Sequence, residues 1–378
     1  MPAPTRIVFF FSDTGGGHRS AAEAIRDAID ETWPGQSEVF LVDFFLEGLP
    51  RPLNRLGSLY SPMVRSGWAW KAAWEMGEFR VVKNTAWQPF LPMLVPRLRK
   101  IIELQKPDVV VSVHPIVTHP MALAVHSLPH AMPALTIVTD LVYGSRTWFE
   151  PLVNFTYVPT DEAREKAIRC HLPPTRVETV GQPVSPRFRR FTGDRAELRQ
   201  RLGMHADLPG VLIVGGGEGM GAVFENARAI ATSGLPVQLV VIAGRNETLR
   251  QQLCAVEWEV PTVVNGFVRN MPEWMAAVDV LVTKAGPGTI AEGMIAGRPL
   301  IIFGYVPGQE ESNVDWVVKQ KVGAAAFNPK AVVARLREWL APGSTALPDM
   351  AERALALARP DAARELGKRI MMWAEKTP

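Results

Sequence analysis

Two runs of three glycines, each at the end of an apolar stretch, are the first places in this 378-residue chain where backbone and side chains could do chemistry together. In "VFFFSDTGGGHRSAAEAI", Gly15, Gly16 and Gly17 stand where a strand must turn into a helix, and His18 falls at the helix start. Glycine permits the sharp turn and leaves bare backbone for a ligand to approach. An imidazole beside the positive end of a helix dipole is kept neutral, the state a general base requires. A plain βα turn with an exposed histidine would read the same way. In "GVLIVGGGEGMGAVFENA", the amides from Gly217 to Gly221 and the helix that begins there suit an anion such as a pyrophosphate.

The third place is "VTKAGPGTIAEGMIAGRPLIIFGYVPGQEESN". Gly286, Pro287 and Gly288 form a turn after a strand, and Thr289 is expected to cap a helix running to about Ala296. Glu292 sits one turn inside, where its carboxylate could accept both hydroxyls of a ribose diol. Helix-dipole stabilisation alone would also favour a glutamate there. Gln309 and Glu310 offer adjacent amide and carboxylate groups, the mixture that holds vicinal sugar hydroxyls.

Other chemistries fit poorly. There is no GxxxxGK[ST], which excludes a P-loop kinase, and no Asp-x-Asp for a metal-bridged nucleotide-sugar site. A nicotinamide site wants an acid ~20 positions after its glycines; Asp43 lies 28 after Gly15, and the second loop's strand ends in Gly244 and Arg245. His114, His119, His126 and His130 have no acidic companion that would suggest a metal. Cys170 and Cys254 give neither a disulfide framework nor ligand spacing. No cofactor or metal is expected.

These loops need strands behind them. Apolar runs at 6–12, 38–44, 108–114, 134–139 and 155–158 alternate with helical patterns, such as those at 20–30 and 161–170. A second series follows at 211–214, 237–243, 262–265, 280–283 and 300–303, and the chain closes on a long Ala/Arg/Glu-rich helix ending near Glu375. The expected organisation is an N-terminal unit over 1–185, a second over 186–345, and a helix in 346–378 that packs back on the first. Both units are read as doubly wound α/β. Residues 51–106 break the rhythm as a helical insertion, with ten basic and three acidic residues and Trp68, Trp70, Trp74 and Trp87. No run approaches the ~18 apolar residues of a spanning helix. The overall charge is only +3, so the insertion is a local cationic feature. No nucleic-acid-binding fold accompanies it.

Taken together, "SDTGGGHRSAAEAI", "SVHPIVTHP", "VTDL", "TWFEP", "GGGEGMG", "GRN", "NGFVRNM", "TKAGPGTIAE" and "GYVPGQEESNV" resemble the monogalactosyldiacylglycerol synthase and processive diacylglycerol glucosyltransferase family. They are more distantly similar to the lipid II-forming N-acetylglucosaminyl transferase. The resemblance implies a GT-B fold, two Rossmann-like domains facing across a cleft. It also implies an inverting transfer of galactose, or alternatively glucose, from a UDP-sugar to the 3-hydroxyl of diacylglycerol. His18 would be the base, and Asp140 would orient it or the acceptor. Gly216, Gly217, Glu218, Gly219, Met220 and Gly221 would hold the diphosphate, with Gly286, Gly288, Thr289, Arg245 and Lys284 near it. Phe267 and Val268 would meet the uracil and Glu292 the ribose, while Gln309, Glu310 and Asn313 would take sugar hydroxyls or phosphate. Gly16, Gly17, His114, His119 and Arg187 would belong to the acceptor side, with the four tryptophans on anionic membrane lipid. The sequence departs from the family at Glu150, where a histidine is common, and at Ser185, where an arginine is. Another lipid acceptor, a UDP-sugar epimerase and a non-catalytic lipid-binding module are the competing readings. The expected location is peripheral, on the cytoplasmic face of a cell membrane.

Overall fold

A computed structural model describes residues 3–13, 16–51, 54–55, 88–189 and 193–375. The chain divides into two compact units: Met1–Pro186 with Pro307–Gln309 and Asp361–Pro378, and Arg187–Val306 with Glu310–Pro360.

Each unit holds a six-stranded parallel sheet. The first contains β1 (Thr5–Phe11), β2 (Ser37–Asp43), β3 (Val109–Ser112), β4 (Ala134–Ile137), β5 (Phe155–Val158) and β6 (Val177–Thr179), in the order β2-β1-β3-β4-β5-β6. The second contains β7 (Gly210–Val214), β8 (Gln238–Ile242), β9 (Thr262–Asn265), β10 (Val280–Lys284), β11 (Leu300–Gly304) and β12 (Gly323–Ala325), ordered β12-β11-β10-β7-β8-β9. Strand order therefore reverses beside β1 in one sheet and beside β7 in the other. Crevices for ligands open at such switch points, outside the carboxyl ends of the strands. The loops read from the sequence as sites follow β1, β3, β7 and β10, which flank the two switch points.

Ten strands lie within a residue or two of their sequence-expected positions. β6 and β12 were missed, being three-residue edge strands. "GAA" carries no β-branched residue, and "VET" is too short to show an alternating apolar pattern. Both faces of β1 are buried: Ile7, Phe9 and Phe11 pack toward helices Gly17–Thr32 and Ala362–Glu375, and Val8 and Phe10 toward helices Leu91–Gln105 and Pro115–His126. This is the period-2 alternation of a strand covered on each side, so a nearly unbroken apolar run is what it requires. Helix Leu91–Gln105 is the described end of the insertion and buries Leu94, Leu98 and Ile102. Trp68, Trp70, Trp74 and Trp87 lie outside the described residues. Among the described residues no helix is long and apolar enough to cross a membrane.

The long C-terminal helix is in fact two, Ala346–Leu357 and Ala362–Glu375, separated at Arg359–Pro360. Proline disfavours helix at the residue before it, which explains the break. Helix Ala346–Leu357 packs on helix Pro287–Ile295 and stays in the second unit. Only Ala362–Glu375 joins the first unit, so the boundary expected at 345 falls at 360. There Arg369 grips Glu178 through Nε at 2.9 Å and a second nitrogen at 2.5 Å, and Trp373 Nε1 donates to Tyr157 Oη at 3.1 Å. A Cβ on Gly367 would stand 2.8 Å from Ile29 Cγ1. Gly367→Val should therefore destabilise the protein by about 1–3 kcal/mol, the usual range for overpacking, as read by urea unfolding. An unchanged midpoint would show that the two helices can slide apart without loss.

Candidate active site

The first unit brings four side chains together at the ends of β1, β3 and β4. Gly16 adopts φ 80°, the left-handed conformation that lets β1 turn directly into helix Gly17–Thr32, and this places His18 in the first turn. His18 Nδ1 lies 2.8 Å from Thr139 Oγ1, and the Val113 backbone also hydrogen-bonds the ring. Its ring centroid is 4.5 Å from that of His114, edge to face, and 5.9 Å from Trp148. His114 caps helix Pro115–His126: its Nδ1 accepts from the Ile116 amide at 3.3 Å. An accepting Nδ1 leaves the proton of a neutral ring on Nε2.

Burial lowers His18 from an ordinary 6.5 to about 4, only partly opposed by the Val113 contact. It holds His114 well below 6.5, with repulsion from His18 adding to the effect. Both imidazoles are thus neutral near pH 7, as the sequence suggested for His18, although the cause is desolvation rather than the helix dipole.

Asp140 accepts from Trp148 Nε1 at 2.6 Å, while the hydroxyl against His18 belongs to the preceding residue, Thr139. Thr139 and Trp148 are the residues that sequence reasoning missed. Trp148 was visible in "TWFEP" but nothing in the spacing tied it to Asp140. Glu150 is buried and 2.8 Å from His119 Nδ1, so the departure from the family pattern supplies the acidic companion that the histidines were thought to lack. Gly17 is open, with nothing within 4 Å of a Cβ placed there.

In the second unit the turn after β7 is backbone packed on backbone. A Cβ on Gly215 would lie 2.3 Å from Met220 O, and one on Gly219 2.2 Å from Ala243 O. The amides of Gly219 and Met220 close the turn onto Gly216 O and Gly215 O, so they are spent internally. Gly217 and Glu218 form the exposed or half-exposed crest, and Gly221, at φ 83°, leads into helix Val223–Ala231. Arg245 reaches the crest, bonding Glu218 at 2.9 Å and lying 4.9 Å over the Phe267 ring, which is exposed; Val268 beside it is half-buried.

The segments after β10 and β11 differ from expectation in three places. The helix cap is Gly286, with Thr289 inside the first turn and no side-chain cap. Glu310 is 4% exposed and fully engaged, taking Lys284 Nζ at 2.6 Å on one oxygen and the Val306 amide at 2.9 Å on the other. Asn313 is buried and donates to Ala285 O at 2.9 Å, pinning the turn. Glu310 and Asn313 are therefore supports rather than groups offered to a sugar, because their polar atoms are turned to the protein. Lys284 passes beneath the glycine turn, its Cε 3.1 Å from a Cβ built on Gly216. Gln309 groups with the first unit, and Arg187 with the second, where it donates to Arg269 O at 3.5 Å. Gly288 faces open space. Glu292 is half-buried with no hydrogen-bond partner among the described residues, and burial raises its carboxyl from 4.5 to about 8.

Two doubly wound units, each on a six-stranded parallel sheet, are the GT-B fold. MurG of Acinetobacter baumannii shares this fold at TM-score 0.63 and 16% identity, covering 98% of this chain and 100% of its own. So does Anabaena Alr3699/HepE in complex with UDP-glucose, at TM-score 0.58, 14% identity and 97% and 99% coverage. The family profile "Monogalactosyldiacylglycerol (MGDG) synthase" matches residues 18–184, and "Glycosyltransferase family 28 C-terminal domain" matches 210–366. Monogalactosyldiacylglycerol synthase of Spinacia oleracea is 38% identical over 369 residues, 95% of this chain and 71% of its own length. Monogalactosyldiacylglycerol synthase 1 of Arabidopsis thaliana is 37% identical over 368 residues, 95% and 69%. The chain belongs to the monogalactosyldiacylglycerol synthase family. These relatives are chloroplastic, which overturns the expectation of the cytoplasmic face of a cell membrane.

The Glu292 carboxyl gives a sign that can be checked. With its folded pKa raised above the unfolded value, the native state holds the extra proton between about 4.5 and 8, and stability falls as pH rises through that window. Glu292→Gln should gain stability relative to the wild type between pH 5 and pH 8.5 in urea titrations. A constant difference across that range would mean the carboxyl is not desolvated.

Proposed function

We propose that this chain transfers galactose from UDP-galactose to the 3-hydroxyl of 1,2-diacylglycerol with inversion, forming a β-linked monogalactosyldiacylglycerol. The observation that carries this reading is membership of a synthase family in a chain that keeps His18 neutral at a switch point. In the reaction His18 takes the proton of the 3-hydroxyl, the oxygen attacks C1 of the sugar, and the C1–O bond to the diphosphate breaks as UDP leaves. A pKa of about 4 keeps His18 unprotonated through the physiological range, and a correctly protonated base is the first requirement of the step.

The second unit would hold the donor. Its unspent amides at Gly217 and Glu218 and the helix after Gly221 favour the diphosphate. Arg245 and Lys284 lie beside that turn and would meet the charge that develops on UDP without a metal. Phe267 and Val268 offer a face and backbone to the uracil. Glu292 has a carboxyl group without a partner among the described residues, whose oxygens would accept from the ribose hydroxyls.

Diacylglycerol resides in a bilayer, so the protein must bind a lipid surface. Ten basic residues against three acidic ones in 51–106, with four tryptophans, supply attraction to anionic headgroups and an interfacial anchor.

His18→Ala should abolish transfer while calorimetry shows UDP binding within about twofold of wild type; loss of both would make His18 a structural residue. Glu292→Ala should weaken UDP binding about tenfold, the worth of one to two hydrogen bonds to a charged group, with vesicle binding unchanged. The decisive assay incubates the protein with diacylglycerol and either UDP-galactose or UDP-glucose, and identifies the sugar and anomer of the product. A glucosyl or α-linked product would overturn the assignment. Exchanging lysine and arginine in 56–87 for glutamine should reduce activity on anionic vesicles several-fold more than on detergent-dispersed acceptor. Equal losses would remove the lipid-surface role.

A further inference from the structure

The first unit has a second cavity, at the opposite end of its sheet from His18. It has a volume of about 730 Å³ and opens among the segments that lead into β4, β5 and β6, that is, at the amino ends of the strands. Ligand pockets fall in the range of roughly 300–1,000 Å³. Nothing in the reaction above uses it, and the histidines it contains, His126 and His130, fit no part of the glycosyl-transfer chemistry.

Its lining is divided by chemistry. Leu128, Met132, Leu152 and the Trp373 ring make an apolar wall; the Trp373 Nε1–H is turned away to Tyr157. The titratable lining residues are Arg176, His126 and His130, with no acid among them. Arg176 and His130 are exposed, and among the described residues no hydrogen bond or ion pair engages either side chain. His126 uses Nδ1 on Ala122 O at 3.0 Å, leaving Nε2 toward solvent or a ligand. A cationic rim over an apolar wall selects an anion with a hydrophobic body. The permanent charge on the rim is the Arg176 guanidinium, whose fork matches a planar carboxylate through two parallel hydrogen bonds. A monoanion balances that charge, whereas a dianionic phosphate monoester would need more.

We propose that this cavity binds an amphipathic carboxylate of the fatty-acid class, its head on Arg176 and its chain along Leu128, Met132, Leu152 and Trp373. The site is separate from the transfer chemistry but built on shared elements. Helix Pro115–His126 ends at the cavity with Val125 and His126, and begins at His114 against His18. The other wall, 151–154, follows Trp148 and Glu150 directly. A carboxylate seated there touches both supports of the histidine pair.

The test is calorimetric titration of the full chain with decanoate below its micellar concentration, with decyl phosphate and decanol as parallel probes. One decanoate per chain should bind, with Arg176→Ala weakening it about tenfold or more and Ala131→Trp, which fills the cavity, removing it. UDP binding by both variants should match wild type, showing that they are folded. Decanol binding as tightly as decanoate, decyl phosphate binding tighter, or affinity indifferent to Arg176 would each overturn the proposal, as would no heat with decanoate. None of these outcomes bears on the galactosyl-transfer reading, which the product assay tests on its own.

Discussion

An imidazole taken out of water without a counter-charge is stable only when neutral, and the first unit is organised around that constraint. β1 and β3 are neighbours in the sheet, so the residues that leave their carboxyl ends are forced together. Here these residues are His18 and His114, 4.5 Å apart between ring centres. Burial keeps both rings neutral, and His18 further opposes the protonation of His114. The neighbouring groups settle what each nitrogen does. The Ile116 amide claims His114 Nδ1, and Thr139 and the Val113 backbone hold His18. A carboxylate in direct contact would have pulled the ring toward its charged form. Asp140 is instead committed to Trp148, whose indole stands 5.9 Å from His18, so it shapes the wall of the pocket.

The second unit meets the same constraint with acids and resolves it in two ways. Glu310 is buried and answered by Lys284 and an amide, so it can remain ionised as part of the scaffold. Glu292 is unanswered, and its carboxyl shifts toward the protonated form. A buried polar group without a partner costs stability. The half-buried Glu292, in the helix after β10 where Gly288 stands open, is the group that the donor proposed above would complete. Hydroxyls of a nucleoside would do so.

Much of this was legible in the sequence because the informative signals were local. Glycines that must turn a strand into a helix announce themselves, and ten of the strands are long enough to show their apolar pattern. The three-residue edges β6 and β12 bury too little to leave one. The break at Arg359–Pro360 was written in the proline, but the Ala/Arg/Glu pattern on both sides disguised it as a single helix. What could not be read was which polar groups the protein keeps for itself. Glu310 looked like half of a sugar-binding pair beside Gln309, yet its partners, Lys284 and Val306, are fixed only by the β10–β11 pairing. Glu150 could be recognised as unusual, but its bond to His119 crosses 31 positions of chain.

The internal use of polar atoms narrows the chemistry more than it weakens it. Of the groups expected to face a donor, Gly219, Met220, Glu310 and Asn313 are occupied in holding the turns. What remains available is a small set: the amides of Gly217 and Glu218, the open approach at Gly288, the guanidinium over Phe267 and the carboxyl of Glu292. The sugar nucleotide proposed as donor has base, ribose diol and diphosphate to be met. Loops fixed by their own hydrogen bonds lose little entropy when such a ligand arrives, and preorganisation of that kind is worth more to binding than additional loose contacts. By holding Lys284 under Gly216 and Ala285 against Asn313, the supports fix where the remaining groups point.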